Sequence, residues 1–280
     1  MLYIPHICFI ISVASCWFSK KAGLLFYAGA VISGLCIGAL HPLVLLTIPV
    51  LYGSLYVIQE KRNKALTALM HVCFTVLSFL LFFHFVPGIN NFKIFDAVFV
   101  GQHCTPFTMY LNMENGIIAF LLMYMIVPTS RTRVEWKQVL VSTGIYGSLC
   151  VACLMAAAHF SGFVTFNPKF PPQTFWFLMN NLMLVCIVQE AFFRGYIQNN
   201  LTDFCERHRI PKMVALIVAS VIFGLRHYQS GVLMIIFSTI AGLFYGAAYM
   251  RNNRIEAAIL VHFALNAVHF FFFSYPSFMR

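Results

Sequence analysis

A chain of 280 residues that is 61% hydrophobic and only 9% charged, with a mean hydropathy of +0.83, is excluded from the ordinary soluble globular class. It reads as a multi-pass membrane protein. The net charge of +10 does not redirect it toward nucleic acid, because the basic residues fall in short clusters between apolar runs rather than on one patch.

A bilayer core takes about 20 apolar residues per helix. That criterion predicts about ten spans, near 2–18, 23–40, 43–58, 66–87, 115–128, 138–159, 174–198, 213–229, 232–250 and 256–274. The expected fold class is therefore all-α, a polytopic transmembrane helical bundle. Met1 to Phe18 has no basic leading region and no A-x-A-like cleavage site, so it is expected to be a retained helix rather than a signal peptide. With the N-terminus outside, the inside loops carry Lys20, Lys21, Lys61, Arg62, Lys64, Arg131, Arg133, Lys137, Arg194, Arg207, Arg209, Lys212, Arg251 and Arg254. The outside keeps Lys93, Lys169 and Arg280, and fourteen against three, with Arg226 unassigned, is the asymmetry that the positive-inside rule demands.

The outside connections 86–116 and 160–174 hold no motif. The first, with Pro87-Gly88, Asn90-Asn91 and His103-Cys104, suits a connecting loop with amphipathic anchors at the interface or over the bundle. The inside connection 198–212 is polar and is expected to be a solvated turn, its Arg207 and Arg209 fixing topology. The nine cysteines lie mostly within apolar runs, where thiols behave as small hydrophobes. Cys150 and Cys153 form a CxxC without a thioredoxin-like context, so no disulfide framework or redox site is expected.

Of eight acidic residues, Asp96 and Glu114 fall in the first outside loop, Glu60, Glu135, Asp203 and Glu206 fall in inside loops, and Glu256 opens the last span. Only Glu190 lies within a span. It sits in Gln189-Glu190-Ala191-Phe192-Phe193-Arg194-Gly195, where Glu190 and Arg194 are four apart and share a helical face. A charge at mid-bilayer costs about 2.5–3.5 kcal/mol, so the pair marks a functional site. Phe223 to His227 closes the eighth span, and in the tenth His262, Asn266 and His269 share one face. Each histidine taken singly is a helix-to-helix hydrogen-bonding group. A carboxylate, two histidines and a carboxamide together form a set that activates water and stabilises an oxyanion. In this reading Glu190 is the general base with Arg194 as its ion partner, one histidine assists the water, and the other donates with Asn266 to the developing oxyanion.

Gln-Glu-x-x-Phe-Arg-Gly at 189–195, Phe-x-x-x-His at 223–227 and His-x-x-x-Asn at 262–266, in that order on three late helices, resemble the three motifs of the CPBP (CAAX protease and bacteriocin-processing, or Abi) family. The resemblance covers about 175–273. It implies a division into an N-terminal transmembrane region, 1–173, and a CPBP/Abi-type catalytic core, 174–280. It also implies a glutamic-type intramembrane endopeptidase that acts without cofactor on a membrane-associated protein or peptide, by CAAX-type or C-terminal tail processing. In that family the first glutamate of the pair activates water with the second-motif histidine, and the third-motif histidine and asparagine form the oxyanion site, which implies His227 on the water and His262 with Asn266 on the oxyanion. Here Gln189 stands in that glutamate's place, and a carboxamide does not take up a proton.

Three outcomes follow from that substitution. Glu190 takes over as base; or the chain is an inactive member serving as an immunity or scaffold protein; or it is a relative that keeps the polar cavity for binding. A zinc site of Glu190, His227 and His262 would match the His₂Glu set of some metallopeptidases, but HExxH is absent. The rival class is a transporter with an intramembrane polar site. No eukaryotic sorting signal is evident, which points to the bacterial inner membrane.

Overall fold

The computed structural model describes residues 3–61 and 63–279. Arg62, Arg280 and the start of the first expected span lie outside the described residues. The described residues hold ten helices at the ten expected places. They are α1 Ile4–Ser15, α2 Lys20–Cys36, α3 Thr47–Glu60 with a leading 3₁₀ turn Pro42–Leu46, α4 Lys64–Phe82, α5 Met113–Met125, α6 Arg133–Phe160, α7 Thr174–Arg207, α8 Met213–Leu225, α9 Val232–Asn252 and α10 Ile255–Phe272. The chain is a multi-pass helical membrane protein, but the span count is corrected. Six helices among the described residues are long and apolar enough to cross: α3 with its leading turn, α4, α6, α7, α9 and α10. The apolar windows that suggested the others include turn residues, which leaves α1, α2, α5 and α8 with 12, 17, 13 and 13 residues against the ~20 that a bilayer core requires.

The chain divides into two compact units, the first of residues 1–93 and 110–127, the second of 94–109 and 128–280. In the first unit α5 is the central helix, packed by α1, α2, α3 and α4. It is buried on every face from Met113 to Met123, as an all-round apolar helix must be. Gly116 admits α1, since a Cβ there would stand 2.8 Å from Cβ and Cγ of Phe9. The buried Glu114 carboxylate accepts two bonds from Asn91 Nδ2, at 2.8 and 2.9 Å, and pairs with His84.

In the second unit α6 packs along α9 and α10, so this compact body begins well before residue 174. Thr132 and Glu135 close a capping box at the start of α6, and Glu135 also meets Arg254 at 2.5 Å. The most deeply buried of the long helices is α7, and it changes pitch twice, with π turns over Asn181–Cys186 and Ala191–Gln198. Such turns are rare and concentrate at functional sites. The sequence suggested a polar turn from 198 onward. Instead the amphipathic stretch Asn199–Arg207 continues α7 as helix, so Glu190 lies midway along its 34 residues rather than near an end. Arg194, counted among the loop cations, is therefore mid-helix and fully buried.

The connection expected as an outside loop with amphipathic anchors contains a β-hairpin, β1 Phe92–Val98 with β2 Phe107–Leu111. Within the second unit Val100, Cys104, Phe107 and Met109 pack on Phe177 of α7 and Phe270 of α10, whose rings stack at 3.8 Å. The 160–174 connection forms a strap antiparallel to the C-terminal segment: Asn167 N donates to Phe272 O, Lys169 N to Phe271 O, Ser274 N to Thr165 O and Phe278 N to Phe163 O, all at 2.7–2.9 Å.

Candidate active site

The site is assembled from α7, α8 and α10, one motif from each. On α7 Glu190 closes the α-helical step between the two π turns and Arg194 lies in the second, and both side chains are wholly buried. Arg194 Nε lies 3.1 Å from Glu190 Oε2. The contact is between charges, since neither atom makes a directed hydrogen bond. The guanidinium is held elsewhere as well: Nη2 donates to Gly242 O at 2.8 Å, and its carbon stands 4.7 Å from the Phe223 ring centroid and 5.5 Å from that of Tyr245. Cation-to-ring contacts of this kind strengthen where water is absent.

The other carboxylate oxygen, Oε1, accepts from His262 Nδ1 at 2.7 Å. In a neutral imidazole that bond leaves Nε2, on the far side of the ring, as the acceptor. His262 lies on Tyr245, with ring centroids 4.5 Å apart and planes 15° from parallel, and Phe223 meets it edge-on at 5.9 Å. One turn along α10, Asn266 Nδ2 donates to Asn181 Oδ1 at 3.2 Å, and the Cys186 thiol donates to the same oxygen at 3.3 Å. The first π turn of α7 thus holds the Asn266 carboxamide as the second holds the Glu190 carboxylate.

His227 follows the end of α8, and its Nδ1 donates to Phe223 O at 3.1 Å. The Phe223 ring stands between the two histidines, 5.2 Å from His227 and 5.9 Å from His262. His269 Nε2 donates to Ser274 O at 3.1 Å.

His227, His262, Asn266 and His269 share one cavity of about 90 Å³, walled by α6 and α9 and by Phe163 and Val164 of the strap. A water needs only about 10–15 Å³ of such space and two or more polar partners, so this cavity admits water beside a bound group. Glu190, Arg194 and Gln189 are not among its lining residues. Gln189 is 5% exposed, and its carboxamide oxygen has no hydrogen-bond partner among the described residues. Nor, among the described residues, is any group of three His, Cys, Asp or Glu side chains placed to hold a metal ion.

Five of the six residues singled out in the sequence therefore meet in two layers. Behind are Glu190 and Arg194; in front, His262, His227 and Asn266 face the cavity. Gln189 joins neither by a hydrogen bond. Sequence reasoning missed Tyr245, Gly242 and Asn181. The Gly242-x-x-x-Gly246 spacing in an apolar helix was a visible sign of close packing, but nothing local announced what lay against it.

Residues 171–268 match the family model described as Rce1-like, type II CAAX prenyl endopeptidase Rce1-like. The match takes in all three motifs, so the resemblance to CPBP proteases read from them holds over that segment, while α1 to α6 lie outside it. No curated protein and no solved structure matches the chain.

Proposed function

We propose that the chain is an intramembrane endopeptidase that hydrolyses a peptide bond in the CAAX-type or C-terminal tail of a membrane-associated protein. The observation that carries this reading is the Glu190 to His262 bond of 2.7 Å with His262, His227 and Asn266 on a shared cavity. Chemistry follows from which nitrogens are engaged. Both imidazoles use Nδ1 on an acceptor within the protein, His262 on a carboxylate and His227 on a carbonyl. Each neutral ring then keeps Nε2 as a proton acceptor.

A carboxylate behind an imidazole fixes its tautomer and stabilises the imidazolium that forms, the logic of serine-protease triads carried over to water. In this mechanism His262 Nε2 takes a proton from water as the water oxygen attacks the scissile carbonyl carbon. The carbonyl π pair moves to oxygen, and Asn266 donates to that oxyanion. As the intermediate collapses the C–N bond breaks, and the proton passes from His262 to the leaving amine. Glu190 thus acts through His262 rather than as the direct base expected from the sequence, because both its oxygens are engaged and it does not line the cavity. No cofactor enters these steps.

A second reading has its own observation. Gln189 occupies the place of the family's first glutamate with an unbonded, buried carboxamide oxygen, which suits an inactive member acting as an immunity or scaffold protein. Cleavage of a prenylated CAAX peptide and of an unprenylated tail peptide in detergent separates the two. The parent is expected to cut one of them at a single position, Glu190→Gln to reduce cutting by roughly 10²–10⁴-fold, and a chelator to leave the rate unchanged. Cutting that appears only with Gln189→Glu would establish the inactive reading, and a rate abolished by the chelator would restore the zinc site. Solute uptake by vesicles without cleavage would favour the transporter. We place the protein in a bacterial inner membrane; the N-terminus-outside orientation rests on counting all ten helices as crossings, which sets thirteen loop cations against three once Arg194 is taken into the bundle, whereas the six helices long enough to cross do not keep that division.

A further inference from the structure

No motif falls on α9, yet this helix forms the floor beneath the site. Gly242 presents its carbonyl to Arg194 Nη2 at 2.8 Å. It is bare at the point of closest approach, where a Cβ would stand 3.1 Å from Arg194 Nη2 and from Ser220 Cβ. Three residues on, on the same face, Tyr245 is 1% exposed and lies flat against His262 at 4.5 Å and 15°. Phe223 closes the remaining side, edge-on to Tyr245 at 5.9 Å and to His262 at 5.9 Å.

We propose that Tyr245 is a positioning residue for His262, its ring fixing the imidazole rotation that keeps Nδ1 on Glu190 and Nε2 free for the cavity. The inference rests on the endopeptidase reading. The χ2 torsion of histidine is broad and roughly two-fold, so the bond to Glu190 selects a nitrogen but does not hold the plane of the ring. A parallel aromatic face on one side and an edge on the other remove the swing. The same face meets the imidazolium as charge develops, a cation-to-ring contact that strengthens out of water. The flat ring is what the argument requires. The hydroxyl is dispensable.

The test compares parent, Tyr245→Phe, Tyr245→Leu and Tyr245→Met in the full chain in detergent. The first readout does not need activity: the ¹⁵N signals of the His262 ring, assigned by their loss in His262→Gln. Parent and Tyr245→Phe are expected to show a single Nδ1-protonated tautomer, and the Leu and Met variants a mixture or exchange-broadened signals. The second readout is kinetic. Tyr245→Phe should hold kcat within about 3-fold, while Leu and Met lower it by about 10²-fold at unchanged KM, the size of loss that roughly 1 Å of misplacement produces.

An unchanged His262 signal in both Leu and Met variants would overturn the proposal, as would a loss in Tyr245→Phe equal to that in Tyr245→Leu, which would assign the hydroxyl instead. If the parent cuts no peptide the endopeptidase reading fails alone, because the nitrogen spectra still decide what Tyr245 does. If Tyr245→Leu does not fold, the bulkier Met variant carries the comparison.

Discussion

Replacing Glu190 by Gln removes one charge from a pair whose side chains are both 0% exposed and leaves the shape nearly unchanged. Arg194 then retains one directed hydrogen bond, to Gly242 O, and two aromatic faces, while His262 Nδ1 meets an amide in place of a carboxylate. Breaking a buried ion pair from one side costs about 3–5 kcal/mol, because the other charge stays in place without compensation. Against a total stability of roughly 5–15 kcal/mol that is a large share, and by the scaling for chains of this size it lowers the melting temperature by on the order of 10 °C. Unfolding is readily followed in detergent with a fluorogenic thiol reagent, since Cys16, Cys104, Cys150, Cys186 and Cys205 are buried free thiols that become reactive as the bundle opens. The informative partner is the double variant Glu190→Gln with Arg194→Met. With both charges gone it is expected to melt above Glu190→Gln alone, giving a coupling energy of about 1–3 kcal/mol. A Glu190→Gln protein that melts with the parent, or a double variant whose loss equals the sum of the two singles, would refute the view that these ions compensate each other in the bundle.

Asn266→Ala should lower kcat by roughly 10²–10³-fold, the usual cost of losing an oxyanion donor, with the melting temperature little changed; steady-state kinetics on the cleavable peptide checks this. Gly246→Ala sets a Cβ 2.5 Å from Gln198 Oε1 and against Leu216 Cδ1, and thermal melting should register about 1–3 kcal/mol of overpacking. Gly29→Ala has nothing within 4 Å of its new methyl, and in the same assay it should be neutral or stabilising by up to about 1 kcal/mol. Phe177→Ala, which empties the stack against Phe270 at 3.8 Å, should cost about 3–5 kcal/mol, visible as earlier thiol labelling of Cys104 in the cluster it supports.

Helices were legible because a membrane imposes one strong rule, a long apolar run, and the ten places it marked are the ten helices. Their lengths were less legible. A buried core helix such as α5 is as apolar as a span while only 13 residues long, and the polar stretch Asn199–Arg207 stays helical with no apolar signal to announce it. The β-hairpin went unread, although Phe107–Leu111 alternates buried and exposed residues strictly, because a five-residue alternation is a weak signal inside a long aromatic loop. In the site, pairs fixed by helical spacing were readable: Glu190 with Arg194 four apart, and His262 with Asn266 four apart. What crosses from helix to helix was not. That Glu190 meets His262, that Asn181 tethers Asn266, and that Tyr245 lies under an imidazole are all set by tertiary packing.

The cavity has one wall of a different character from the rest. Phe163 and Val164 are held there by a strap that pairs with 271–278 through a ladder of main-chain bonds, joined by Thr165 N donating to the Ser274 hydroxyl and by Lys169 Nζ donating to Phe273 O. Backbone pairing tolerates nearly any residue, so drift in 163–169 or 271–278 leaves the wall standing while it changes the surface turned toward the cavity. The recognised segment ends at 268, just before this tail. Substitutions at a handful of strap positions are thus expected to change which peptide the proposed endopeptidase accepts, in this chain and in any relative that keeps the three motifs, with the residues on α7, α8 and α10 untouched. Exchanging strap and tail together, as one module, is the natural way to transplant substrate preference between them.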